Sequence, residues 1–379
     1  MKQTHILVLS VSAGAGHVRA AQALVATAER DYPHAKVTHL DVMDFVSKSF
    51  RKVYADSYIK LVDKAPLLWA YLYQNTDSQS SSSLFTKIRR NIERLNTRDL
   101  KKEIAKIAPD AIICTHFLPA ELASRRIAKG ESMPPIWVQV TDFDVHGLWV
   151  HPHIQGYFVA SNEVAARLQA RGIAAQQINV TGIPIMPQFS VPFNKSLCTD
   201  TAGLDPNKTT LLMMSGGLGV GNIGTMARAL LQMPADFQII ALAGKNQTML
   251  EELQTLATQH PGRLFPMGFT KTIEKLMAIS DIAITKPGGL TSSECLAMNL
   301  PMIVVSPIPG QEERNADYLL EAGAALKAVD IAALSYKVQK LLQNPAQLSM
   351  MRERMAKVAK PSAANTVLSH VISFLEHQA

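Results

Sequence analysis

The chain has 379 residues, 47% of them apolar and 18% charged, enough for two domains with sizeable cores and too apolar for global disorder. Its net charge of +7 is uneven: residues 1–195 hold 23 basic and 16 acidic side chains, and the remainder holds 15 of each. Three distant cysteines (Cys114, Cys198, Cys295) match no disulfide framework or zinc spacing, no signal-peptide pattern opens the sequence, and no apolar run reaches the roughly 18–20 residues of a membrane span, so a cytoplasmic protein is expected.

Apolar runs of strand length alternate with helical patterns from end to end. In the first half they are 5–9, 36–42, 110–115, 135–140, 156–160 and 178–182; in the second, 209–215, 237–243, 263–268, 282–285 and 302–307. Continuous apolar runs separated by helices predict parallel strands buried on both faces, hence two doubly wound α/β domains. The proline-rich stretch 183–208 reads as the linker between them. The expected division is an N-terminal domain over 1–195 and a C-terminal domain over 196–360, with a last helix at about 361–379 packing back on the first.

Residues 50–106 fit this scheme poorly. An apolar aromatic part (58–74, with Trp69) precedes a serine loop and a basic part carrying Arg89, Arg90 and Arg94. That pattern suits an interfacial membrane contact, and equally a core segment with a solvated basic face. The positive excess of this half calls for an anionic partner, either acidic lipid or nucleic acid, or merely a soluble surface.

Each half has a glycine-rich turn after its first strand. In "SVSAGAGHVR" (10–19) the spacing fails the dinucleotide fingerprint, because position 19 is Arg, and no Walker lysine follows. His17 stands where the helix begins. It is either a neutral-pH acid–base group or a histidine that only bonds the backbone of its helix start. "SGGLGVGN" (215–222) contains G-x-G-x-x-G, but no acid ends the following strand, which disfavours NAD.

The richest stretch is 285–319. Pro287-Gly288-Gly289 turns the chain, Thr291 to Glu294 are expected to open a helix, and a carboxylate there can accept ribose hydroxyls while nearby N–H groups face phosphate. A purely structural capping box is the alternative. "TDFDVH" (141–146) supplies Asp142, Asp144 and His146 after another strand; its D-x-D also occurs in metal-dependent sugar transferases of a different fold.

Nearly the whole chain resembles the monogalactosyldiacylglycerol synthases and processive diacylglycerol glucosyltransferases of glycosyltransferase family 28. The motifs are "SAGAGHVRAA", "YIKLVDKAPLLWAYLY", "PDAIICTHF", "TDFDVHGLWVHP", "VTGIPI", "SGGLG", "MGFT", "ITKPGGLTSSECLAMNLPMIV" and "PIPGQEERNADYL". The resemblance implies a GT-B fold, two Rossmann-like domains facing across a cleft. It implies inverting transfer of a hexose, glucose or galactose, from a UDP-sugar to diacylglycerol.

Carried over by position, His17 is the essential histidine and candidate base, with Asp142 and His146 as further catalytic candidates. Gly216 and Gly217 face the diphosphate, and Phe269 marks the uracil region. Gly288, Gly289, Leu290 and Thr291 form the phosphate-side turn, Glu294 holds the ribose, and Gln311 and Glu312 contact the donor sugar. Trp69, Arg89, Arg90 and Arg94 become the membrane and acceptor surface, placing the enzyme peripherally on the inner face of the cell membrane against anionic lipids. No cofactor, no tightly bound metal and no nucleic-acid partner are expected. A UDP-GlcNAc-type transferase to another lipid-linked acceptor, an epimerase on the same fold, and a non-catalytic UDP-sugar sensor are the competing readings.

Overall fold

A computed structural model describes residues 3–12, 14–46, 98–191, 203–214 and 222–378. Trp69, Arg89, Arg90, Arg94, Gly216 and Gly217 lie outside the described residues, as does nearly all of the segment 50–106. The chain divides into two units. The first contains residues 1–187, 308–311 and 360–379; the second contains 188–307 and 312–359.

The first unit is built on six parallel strands in the order β2-β1-β3-β4-β5-β6. These are β1 (Thr4–Ser10), β2 (Ala35–Asp41), β3 (Ala111–Cys114), β4 (Ile136–Gln139), β5 (Gly156–Val159) and β6 (Ile178–Val180). Alternation explains why the runs read as continuously apolar. Leu7, Leu9, Ile112 and Val138 enter a core on one face, with Trp149 and Tyr157. Ile6, Val8, Ile113 and Trp137 enter a second core on the other face. Helices α1 (Ala15–Asp31), α2 (Arg98–Ile107), α3 (Phe117–Ala128) and α4 (Asn162–Ala170) cover this sheet.

The second unit has six parallel strands in the order β12-β11-β10-β7-β8-β9. They are β7 (Thr209–Met214), β8 (Phe237–Gly244), β9 (Leu264–Gly268), β10 (Ile282–Thr285), β11 (Met302–Val305) and β12 (Ala325–Ala328). Read from β9, the order is that of the doubly wound nucleotide-binding fold. Strand β12 has no counterpart among the runs read from sequence. It is an edge strand of four residues, with Leu326 and Lys327 only partly buried.

The helices that follow are α5 (Ile223–Leu231), α6 (Gln247–Thr258), α7 (Ile273–Ile279), α8 (Gly289–Ala297), α9 (Gln311–Glu321), α10 (Ile331–Gln343), α11 (Pro345–Val358) and α12 (Ala363–Gln378). Helix α12 joins the first unit, where Val367, Leu368 and Val371 fill the second core and Phe374 meets Trp137 edge-to-face at 5.0 Å. Among the described residues no helix is long and apolar enough to cross a membrane.

In α2, the described end of the basic segment, Leu100 and Ile104 are buried and the lysines are paired. Lys101 meets Glu131 at 3.0 Å, Lys102 meets Asp99 at 3.1 Å and Lys106 meets Glu103 at 3.3 Å. Exposed pairs of this kind add little stability.

Candidate functional site

Open parallel sheets bind ligands beyond the carboxyl ends of their strands, where the strand order reverses. In the first unit that point lies between β1 and β3. Two chain segments meet there: the loop from Ser10 into α1, and Thr115-His116 leading into α3. Thr115 N bonds Leu9 O at 2.9 Å and so continues the ladder one residue past β3.

His17 sits in the first turn of α1, behind an extended Gly14 that caps the helix with no side-chain bond. Thr115 holds it twice. The Thr115 Oγ1 hydroxyl donates to His17 O at 2.9 Å, and His17 Nδ1 lies 3.0 Å from Thr115 O. A carbonyl only accepts, so Nδ1 carries the proton and Nε2 keeps its lone pair. Thr141 Oγ1, 2.8 Å from Nδ1, shares that proton. Burial lowers the His17 pKa, while the Asp142 carboxylate and the Thr115 carbonyl act to raise it. The outcome is a half-buried imidazole, neutral at pH 7, with its basic nitrogen Nε2 in no hydrogen bond among the described residues.

An aromatic wall surrounds it. The His116 ring meets His17 edge-on at 4.6 Å, Phe117 packs on His116 at 4.1 Å, and Trp149 lies 6.2 Å from both imidazoles. His116 Nδ1 accepts from Leu118 N at 3.1 Å and caps α3. Burial, then the neighbouring His17, pushes His116 well below the ordinary histidine range. Trp149 closes a short 3-10 turn (Gly147–Trp149) capped by His146, whose Nδ1 accepts from Leu148 N at 3.1 Å. His146 thus shapes the turn that carries Trp149.

The two aspartates of the D-x-D face different partners. Both carboxylate oxygens of Asp142 accept from Gln311 Nε2 at 2.9 Å, within the first unit. Asp144 lies 3.3 Å from Arg167. Gln311 is therefore placed beside the aspartate that acts on the His17 imidazole.

Below this loop, Glu121 of α3 bonds His151 Nδ1 at 2.8 Å and also Arg125, and Ser124 Oγ donates to Pro152 O at 2.7 Å. Burial alone would raise Glu121, but His151 and Arg125 hold it down at about 2. This buried pairing fixes the far end of the segment 141–152 to the helix that His116 caps.

In the second unit the order reverses between β7 and β10. After β10, Gly288 caps α8 and brings no side chain to its first N–H groups. The helix begins at Gly289, two residues before the serine–threonine run expected to open it, and Glu294 lies in its second turn. The extended Gly288 already starts the helix, so no Ser/Thr capping box forms there.

Leu290 and Thr291 are half-buried, Glu294 is buried, and Ser292 Oγ is buried with no partner among the described residues. Glu312 flanks the turn, its Oε1 4.0 Å from where a Cβ on Gly288 would stand. Phe269, just beyond β9, is 55% exposed and has Lys245 Nζ 5.4 Å from its ring centre. Sequence reasoning passed over Thr115, His116, Thr141 and Lys245; each stands at or just beyond the carboxyl end of a strand, the position that marks ligand sites in such sheets.

The chain matches two family profiles in succession: "Monogalactosyldiacylglycerol (MGDG) synthase" over residues 17–185, and "Glycosyltransferase family 28 C-terminal domain" over 224–367. A protein of Bacillus pumilus (strain SAFR-032) named processive diacylglycerol beta-glucosyltransferase is 31% identical over 372 residues, covering 97% of this chain and 94% of its own. A protein of the same name from Bacillus cereus (strain AH187) is 29% identical over 98% of this chain and 94% of its own.

Among solved structures, S. aureus MnaA with UDP superposes with a TM-score of 0.65 at 15% identity, covering 98% of this chain and 97% of the other. MurG of Acinetobacter baumannii gives 0.61 at 16% identity, covering 99% of each. At that identity they establish the GT-B fold alone. The chain belongs to the family of the monogalactosyldiacylglycerol synthases and processive diacylglycerol glucosyltransferases, within glycosyltransferase family 28.

Proposed function

We propose that this protein is an inverting glycosyltransferase that moves a hexose from a UDP-sugar to diacylglycerol, forming a glycosyldiacylglycerol. The observation that carries the reading is the His17 tautomer. Thr115 O fixes the proton on Nδ1 and leaves Nε2 as a base, in the unit that matches the diacylglycerol-synthase profile. His17 Nε2 takes the proton of the glycerol hydroxyl, whose oxygen forms the new bond to the anomeric carbon while the bond to UDP breaks. The N–H groups at the start of α8 offset the charge that gathers on the departing diphosphate, and Glu294 holds the ribose. Asp142 stabilises the imidazolium that His17 becomes.

The names of the relatives favour glucose over galactose as the transferred sugar. Incubation with dioleoylglycerol and UDP-glucose, UDP-galactose or UDP-GlcNAc in turn, followed by mass analysis of the lipids, tests this. A hexosyl-diacylglycerol from UDP-glucose is expected. Product from UDP-GlcNAc alone, or none from any donor, would overturn the reading.

Membrane contact through the basic segment and independence from metal belong to the same proposal. Replacing Arg89, Arg90 and Arg94 by Glu is expected to release the protein from anionic liposomes while UDP binding persists, and EDTA is expected to leave turnover unchanged.

A further inference from the structure

His116 has more chemistry than the fold requires of it. Its Nδ1 accepts the Leu118 N–H and so must be unprotonated; in the neutral ring the proton then sits on Nε2. As a helix cap the residue could be Ser, Asp or Asn, which serve that role at least as well. None of these places an N–H as far out as Nε2: Ser and Asp have no N–H, and the amide of Asn stops one bond shorter. The residue is only 3% exposed, and Nε2–H finds no hydrogen-bond partner among the described residues. Nε2 is not sealed from solvent, so its N–H stays open to a partner that enters the site.

The neighbour is the complement. His17 presents a lone pair at Nε2, because Thr115 O takes its Nδ1 proton, and the two rings meet edge-on with centres 4.6 Å apart. One imidazole accepts and the other donates, each fixed in its tautomer by a backbone group. Phe117 and Trp149 add apolar walls beside them. An acceptor that suits this arrangement has a hydroxyl, a second oxygen close to it and apolar substance around both. A glycerol carbon bearing a free hydroxyl next to an ester has that chemistry.

We infer that His116 is a second acceptor-binding residue, whose Nε2–H donates to an oxygen of the diacylglycerol beside the hydroxyl that His17 deprotonates. The inference rests on the diacylglycerol reading above. The proton that leaves the hydroxyl still goes to His17; His116 gives up none and sets the angle at which the hydroxyl meets Nε2. Burial, and the cost of a second charge beside His17, keep the His116 ring in the neutral form that this donation uses.

The test is His116→Asn, which keeps a capping acceptor for Leu118 N–H and removes the ring donor. Initial rates on dioleoylglycerol in mixed micelles are expected to show an acceptor KM raised about tenfold, the weight of one lost hydrogen bond. The KM for the UDP-sugar and the calorimetric affinity for UDP should stay within about twofold, which a general loss of structure would not allow. His116→Ser, with the same cap, is read in the same way if the asparagine variant does not fold. An unchanged acceptor KM, or equal rises in both KM values, would overturn the inference. A wild-type protein inert toward dioleoylglycerol would instead overturn the parent reading, so the two failures are told apart.

Discussion

The two units place six parallel strands each in reversing order, and each puts polar groups where the order turns, yet the two turning points differ in kind. Beyond β1, β3 and β4 the groups are side chains in fixed positions: His17 held by Thr115 and Thr141, His116 held by Leu118 N–H, and Asp142 held by Gln311. At β10 the groups are backbone N–H at the start of α8, capped by the side-chain-less Gly288, with the buried Glu294 and Ser292 further along the helix. Fixed imidazole tautomers suit proton transfer; free backbone donors on a helix start suit a phosphate, and a buried carboxylate suits a sugar's hydroxyls. On the proposed function, one architecture thus serves acid–base chemistry in one unit and nucleotide binding in the other.

Substitutions at each turning point probe that difference. The largest effect is expected from His17→Ala, which removes the base: turnover on diacylglycerol should fall about a thousandfold, read by product formation under saturating donor. Glu294→Ala should raise the KM for the UDP-sugar about tenfold or more, with a smaller loss in turnover, as for a group that binds donor before and during reaction.

Glu121→Gln should cost about 3 kcal/mol of stability at pH 7, measured by urea unfolding, since it breaks the buried pairing with His151 and Arg125. Folding depresses the Glu121 pKa to about 2, so its contribution is complete above the ordinary carboxylate range and is lost as pH falls toward 2. The gap between wild type and variant should close over that window. Asp142→Asn should have the smallest effect. Asp142 raises the His17 pKa, so removing its charge should move the acidic limb of kcat/KM to lower pH, starting from a limb already below the usual histidine value.

The eight inner strands were legible as apolar runs because burial on both faces leaves no polar alternation to confuse them, and the edge strands β2, β6 and β9 were read from their apolar content although only partly buried. Strand β12 was not, since it has four residues and one of them is Lys327. His17 and Glu294 could be picked out because a turn, a strand and a helix start are local features of sequence. Thr115 and His116 could not, because their meaning depends on β3 lying next to β1, a pairing that joins residues about a hundred positions apart. Gln311 and Asp142 were each picked out by position, but their pairing, across 169 residues, was not. The serine–threonine run at 291–293 resembled a helix cap only because nothing local shows that Gly288 has already begun the helix.

The division of labour itself is tested most directly by the affinity of the His17→Ala protein for UDP, measured by calorimetry beside its transfer activity. The account predicts a Kd within about twofold of wild type in a protein that no longer glycosylates diacylglycerol. A Kd raised tenfold or more, or transfer that survives the substitution, would contradict it.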